Sequence, residues 1–291
     1  MTKGRAVNVL LRLISFLLLL GISFPASAHR VQIPAGDIRL PAEYLSPLRA
    51  GMPAVLVLHG CGGLFSRSGE IGSRMNRMGN LLQEMGYAVL YPDSFTPRGI
   101  KQVCTSRASA RAVTPHMRAD DAEAAIRWLR KQKDVDGNRI GVLGWSHGAD
   151  ATLELLGRKN KWVKAAVTYY PACRLWFNDK DYRVSAPTLV LVGERDEWTP
   201  ARDCKALAVE TGQDLFHVVS YPEALHDFDA PVTYPSVESD IANRVRGANG
   251  VLPAADPEVT HDANRRTFKW FARWFDPERA ITGFPPSRND H

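Results

Sequence analysis

Cysteine is scarce in this chain, four among 291 residues, far below the density of a scaffold built on disulfides. None of the four forms a CxxC pair or stands at ligand spacing from histidine, so the zinc-ribbon and redox-motif readings fall away. The N-terminal apolar run Leu13–Phe24 has 12 residues, short of the roughly 20 that span a bilayer. Charge of one sign is also in short supply: 37 Lys and Arg face 31 Asp and Glu, a formal net charge of +6. No dense basic run with interleaved aromatics occurs, which argues against a nucleic-acid partner. Internal repeats and low-complexity linkers are missing too. With 45% hydrophobic and 23% charged residues, what remains is a globular composition with ample material for a core.

The basic surplus belongs partly to the N-terminus. Lys3, Arg5 and Arg12 flank the apolar run, and Ala26-Ser27-Ala28 closes it in the small-x-small manner of a secretory signal. Residues 1–28 are therefore expected to be a cleavable signal peptide, with a single domain over 29–291 and no stable membrane anchor. Removal of residues 1–28 leaves 34 basic against 31 acidic residues, too even a balance to imply an anionic partner. Export would place Cys61, Cys104, Cys173 and Cys204 in an oxidising compartment, periplasmic or extracellular, where two disulfides are the default.

Periodicity predicts an alternation of strands and helices. Val31–Tyr44 has room for two short strands. Ala54–Leu58 is continuously apolar, as expected for a strand buried on both faces. Met75, Met78, Leu81, Leu82 and Met85 recur at helical spacing before Gly86. Further strands are expected at 87–91, 140–143, 165–169, 188–192 and 215–221. Helices are expected at 120–131, 149–156, 201–210 and 264–275. The stretch 231–260 reads as an irregular excursion. The order implies an α/β fold with a mostly parallel central sheet and helices on both faces.

In such sheets, sites form at the carboxyl ends of strands. Gly144-Trp145-Ser146-His147-Gly148 follows one strand and opens a helix, the setting in which GxSxG raises a serine hydroxyl above the sheet. Asp196, in Gly193-Glu194-Arg195-Asp196, stands after a later strand, with Glu194 its nearest competitor. His226 follows the last strand, where a loop histidine can take the Ser146 proton and return it to a leaving group. The chain order Ser, Asp, His is that of α/β hydrolases. The amide of His147 and an amide of the His59–Gly63 turn, most plausibly that of Cys61, can receive an oxyanion. Phe65, Phe95, Trp145, Tyr170 and Trp198 lie in or beside these loops and are candidates either for substrate contact or for packing. Arg98 reads as a solvated loop residue or as a contact for an acidic group. No cofactor or metal is called for.

The segments His59–Gly63, Tyr91–Asp93 with Phe95–Gly99, Gly144–Gly148, Gly193–Pro200 and Tyr221–Phe228 resemble the dienelactone hydrolase family of α/β hydrolases, over about residues 53–275. The resemblance implies Ser146 as nucleophile, Asp196 as acid and His226 as base. Two departures stand out: founding members carry a cysteine nucleophile, and a substrate-binding arginine four residues after the histidine, where this chain has Ala230. Dienelactone itself is therefore not the expected substrate. Four cysteines allow three connectivities. The family's strand order favours Cys61–Cys104 and Cys173–Cys204, which would staple loops on the catalytic face. The expectation is an exported serine hydrolase of a small-molecule ester or related acyl substrate. Alternatives are a peptidase or acyltransferase with the same machinery and, from another class, a non-catalytic binding protein on a hydrolase fold.

Overall fold

In the computed structural model, residues 28–106, 108–212, 214–230 and 256–276 are described. The expected signal therefore lies outside the described residues except for Ala28, as do 231–255 of the expected excursion.

Among the described residues, a sheet of eight strands organises the fold: β1 (Ala28–Ala35), β2 (Ile38–Leu45), β3 (Met52–Leu58), β4 (Ala88–Pro92), β5 (Val135–Trp145), β6 (Val163–Tyr169), β7 (Thr188–Gly193) and β8 (Phe216–Tyr221). Their order across the sheet is β1-β2-β4-β3-β5-β6-β7-β8. Only the β1–β2 and β2–β4 pairs are antiparallel; from β4 to β8 all are parallel. Among the described residues, five α-helices connect or close the sheet: α1 (Ser73–Glu84), α2 (Pro115–Leu129), α3 (His147–Gly157), α4 (Ala201–Thr211) and α5 (Pro257–Phe275).

The period-two rule of strands sorts the core into two layers. Ala54, Leu56 and Leu58 of β3, with Ile140 and Val142 of β5, face α2, α3 and α4 through Ala122, Leu153 and Leu207. Val55, Val57 and Leu143 point the other way, against Met75, Met78 and Leu82 of α1 and Phe271 and Phe275 of α5. Burial on both faces explains why the central strands read as unbroken apolar runs.

Register brings the loops to one edge. Leu58 pairs with Gly144, so the turn after β3 and the turn carrying Ser146 leave the sheet at the same level. Gly193 pairs with Tyr221, which does the same for the Asp196 and His226 turns.

Several boundaries differ from expectation. β5 starts at Val135, five residues before the expected strand, because Met52 pairs with Val135 ahead of a register shift. α2 starts at Pro115: the Thr114 side chain caps it by accepting from Met117 N, and proline suits a first turn. α5 starts at Pro257, so residues 257–260 are helical rather than irregular. Asp256 caps this helix, accepting from Glu258 N and Val259 N.

Candidate active site

Ser146 sits between the last residue of β5 and the first of α3, with φ 48 and ψ −119. That backbone state is strained for a residue with a side chain. Two bonds hold it: Ser146 N donates to Tyr169 O at 2.9 Å, and Asp150 N closes the first helical turn on Ser146 O at 2.9 Å. Gly148 allows α3 to start so close to β3. A Cβ there would stand 2.2 Å from Leu58 O and 2.5 Å from His59 O, which no larger residue can accept.

Asp196 and His226 converge on this turn from β7 and β8. His226 Nδ1–H donates to Asp196 Oδ2 at 2.7 Å, which leaves Nε2 to accept from the Ser146 hydroxyl at 3.2 Å. Asp196 Oδ1 accepts from the amides of Trp198 and Thr199 at 2.8 and 2.9 Å. Thr199 Oγ1 lies 2.7 Å from Asp196 Oδ2 and 3.2 Å from His226 Nδ1. The Asp196 and His226 turns are packed backbone to backbone at Gly193, where a Cβ would be 2.3 Å from Ala224 O. Burial opposes the His226 imidazolium, but the hydrogen bond and charge of Asp196, with Asp227 adding, raise its pKa above the ordinary value. Glu194 plays no part here: it pairs with Lys205 at the surface.

The turn after β3 flanks Ser146 on the other side. A Cβ on Gly60 would stand 3.9 Å from Ser146 Cβ, so the Cys61 amide follows directly on the residue beside the serine. His147 is the first residue of α3, and its N–H has no carbonyl one turn back to bond. Cys61 is joined to Cys104 and Cys173 to Cys204. The Cys61 loop is further fixed by Val103 N donating to Cys61 O at 2.8 Å.

Beneath this turn lies a cluster of polar groups that no motif announced. Arg118, wholly buried, donates from Nη1 to His147 Nδ1 at 3.0 Å. Burial, then the charges of Arg118 and Arg111, push the His147 pKa down to about 2, so its ring is neutral. His59 is held well below its ordinary range by burial, then Arg118, and its Nδ1–H donates to Gly60 O at 2.8 Å. His59 thus braces its loop. Asp150, in the first turn of α3, accepts from Ala172 N at 2.7 Å, and burial raises its pKa to about 6.

The aromatic candidates separate. Trp198 is 40% exposed, with its ring 5.1 Å from His226, and Phe65 is half-buried. Trp145 and Phe95, candidates either for substrate contact or for packing, are each 1% exposed and pack inside the protein. The Trp145 ring stacks on Tyr169 within the core, and Phe95 packs edge-on against His59. Tyr170 is also buried, its ring 4.5 Å from His226. Arg98 is neither solvated nor free: it grips Asp121 with both terminal nitrogens, at 2.8 and 2.9 Å, and donates to Ser94 O. Among the described residues, no group of three or more His, Cys, Asp or Glu is arranged to hold a metal ion. A cavity of about 320 Å³ at the C-terminal end of α4, lined by Phe177, Arg183, Leu207 and Glu210 among others, is separate from these residues.

A profile of the dienelactone hydrolase family matches residues 40–275. No curated protein sequence matches the chain. Among solved structures, the dienelactone hydrolase of Anabaena variabilis is similar at 19% identity and a TM-score of 0.63, over 87% of this chain and 100% of that one. A dienelactone hydrolase-like promiscuous phosphotriesterase from metagenomic libraries is similar at 21% identity and a TM-score of 0.64, over 86% of this chain and 100% of that one. The acylaminoacyl peptidase of Pyrococcus horikoshii aligns at 16% identity and a TM-score of 0.62, over 93% of this chain and 45% of that one. At these identities the structural likeness is one of fold.

Proposed function

The chain belongs to the dienelactone hydrolase family of α/β hydrolases, and on that premise we propose that it is an exported serine hydrolase of a carboxylic ester or related acyl substrate. One observation carries the reading: the His226 ring reaches Ser146 Oγ through one nitrogen and Asp196 through the other. Geometry of this kind, rather than sequence position, identifies an acyl-transfer triad.

In the proposed mechanism Ser146 Oγ attacks the carbonyl carbon while His226 Nε2 takes its proton. The Asp196 carboxylate holds the ring in the productive tautomer and stabilises the imidazolium. The amides of Cys61 and His147 receive the oxyanion. His226 then gives its proton to the leaving group, and the ester bond breaks to leave an acyl-serine. A water deprotonated by His226 attacks that intermediate, the acyl–Oγ bond breaks as His226 returns the proton to Ser146 Oγ, and the acid is released. Trp198, whose exposed ring lies 5.1 Å from His226, would meet the apolar part of the substrate, with the half-buried Phe65 a further candidate. The fold likeness to a peptidase keeps the leaving group open, because the triad sets acyl chemistry and not the acceptor.

Export rests on the composition of residues 1–28 and on the two disulfides, which suit an oxidising compartment. No helix among the described residues is long and apolar enough to cross a membrane.

Fluorophosphonate labelling of the wild type beside Ser146→Ala, with a short-chain aryl ester assay, tests the reading. The expected result is a label on Ser146 and its loss, with turnover, in the variant. Equal turnover by both proteins, with Ser146 unlabelled, would overturn it. Added alcohol or a peptide substrate then reports how the acyl-enzyme partitions.

A further inference from the structure

The His226 turn is tied to the rest of the site by a second set of polar contacts that the acyl chemistry does not itself consume. Arg74, in the first turn of α1, donates from Nη1 to Tyr170 Oη and, at 2.8 Å, to Asp227 Oδ1. The Tyr170 hydroxyl donates to Asp229 Oδ1 at 2.6 Å. The other Asp229 oxygen accepts from Trp145 Nε1 at 2.7 Å. Arg74 Nη1 also stands 3.6 Å from Asp229 Oδ1.

The sequence positions of these residues give the unit its meaning. Trp145 immediately precedes Ser146, and Asp227 immediately follows His226. Asp229 therefore spans the gap between the nucleophile strand and the base turn, while Arg74 clamps the same turn from α1. Tyr170, at the end of β6, lays its ring against His226. Two members hold the left-handed backbone that side chains disfavour, Tyr170 with φ 41 and Asp227 with φ 62. Such states persist only where surrounding contacts over-determine them. Burial raises the Tyr170 phenol well above its ordinary range, so it remains a donor to Asp229 at any working pH.

We propose that Arg74 and Asp229, linked through Tyr170, are positioning residues that hold the base turn in register with the nucleophile turn. The proposal rests on the reading of His226 as general base. Misplacing a reacting group by about 1 Å can cost about 10²-fold in rate, and this unit fixes both ends of the Ser146–His226 contact.

Electrostatics give the unit a signature that a merely structural role lacks. His226 is faced by Asp196 and Thr199 from the acid turn, Tyr170 after β6, Asp227 on its own turn and Arg74 from α1. The Asp150 carboxylate of α3 also feels its charge. Asp227 favours the imidazolium and Arg74 disfavours it. Removing Arg74 strands Asp227 and Asp229 beside the base, while removing Asp227 leaves Arg74 paired with Asp229 alone and takes away a carboxylate that favours the imidazolium.

All three Arg74 contacts converge on one nitrogen, so a lysine ammonium can replace them where a neutral side chain cannot. The test compares Arg74→Gln, Arg74→Lys, Asp227→Asn and Asp229→Asn in the full chain. Each is read by aryl-ester kinetics and by substrate-free NMR titration of the His226 ring. Arg74→Gln is expected to lower kcat by about 10- to 100-fold with KM nearly unchanged, and to move the His226 titration and the acid limb upward. Asp227→Asn should move both downward, and Arg74→Lys should restore the wild-type midpoint. Asp229→Asn should lower kcat; should it not fold, the partly exposed Arg74 variants carry the test.

An unchanged kcat and titration in Arg74→Gln would overturn the proposal. So would a loss confined to KM, or midpoints moving the same way in Arg74→Gln and Asp227→Asn. If instead Ser146→Ala turns over substrate like the wild type while the His226 titration responds as expected, the hydrolase reading falls and the positioning unit stands.

Discussion

On the base side of Ser146, both oxygens of Asp196 and both of Asp229 are hydrogen-bonded, to His226, Thr199 and Trp198 in one case and to Tyr170 and Trp145 in the other. On the oxyanion side, His59 Nε2, His147 Nε2, Asp93 Oδ2, Ser94 Oγ and Arg118 Nε and Nη2 are buried with no protein partner. Beside the hydrogen bonds of Arg118 to His147 and of His59 to Gly60 O, that side carries a covalent tie and a steric one: the Cys61–Cys104 bridge and the close packing of Gly148 on the end of β3. The difference divides the labour. The proton-carrying side is placed by charged groups, whose exchange alters the pKa of the base. The proposed amide-donating side adds a covalent bond and close backbone packing, neither of which acts on the pKa of His226.

The largest expected break in this comparison is Asp196→Asn. An amide in that position presents N–H₂ to His226 or loses its bond to the turn amides, and the wrong tautomer is worth about 10⁴-fold in kcat. Single-turnover kinetics on the folded variant check it. Next is the double variant Cys61→Ser with Cys104→Ser. Opening a loop with a sequence separation of 43 should cost about 2–4 kcal/mol of stability. Loosening one oxyanion donor should lower kcat by up to about 10²-fold. The acid limb should not move, which is the point of contrast with Asp227→Asn; a shifted limb would show that the two sides are not separable.

Between the two sides lies Asp150. Its folded pKa of about 6 exceeds its ordinary value, so its protonated form stabilises the fold; that contribution is complete below about pH 4 and is lost as pH rises through 6. Asp150→Asn should abolish this loss, a gain on the order of 2 kcal/mol at neutral pH, read by denaturation at pH 4 and 7. For His226 the raised pKa predicts that kcat/KM climbs with a midpoint above 6.5, as the ring loses its proton. Its own stabilising contribution runs the opposite way, present at low pH and lost through the same midpoint. The smallest effect belongs to Arg195→Ala. Its partner Glu223 is exposed, and loss of this surface pair should change stability by less than about 0.5 kcal/mol without altering kcat.

The sequence made the central strands, the serine turn and the acid and histidine turns legible, because each rests on a local pattern at a strand end. Asp136-Gly137-Asn138 hid the start of β5: these residues read as a turn, and only the pairing of Val135 with Met52 makes the strand longer. Phe95 and Trp145 stood open between substrate contact and packing because periodicity locates a loop but not the direction its rings point. Arg118, and the unit of Arg74, Tyr170, Asp227 and Asp229, were invisible for a different reason. Arg74 and Asp227 are 153 residues apart, and no spacing rule links charges at that range. The one faint signal was the alternation His226-Asp227-Phe228-Asp229, two acids around a buried aromatic in a turn with no other need for them.

Ser146 precedes its base by 80 residues, and Asp196 precedes it by 30. A chain made from its amino terminus therefore completes the serine turn long before anything can deprotonate it. In the proposed mechanism, the nascent molecule carries an inert hydroxyl until β8 docks at the far edge of the sheet and delivers His226. On that mechanism turnover reports the arrival of the last strand among the described residues, and a truncated or half-folded copy would threaten no ester.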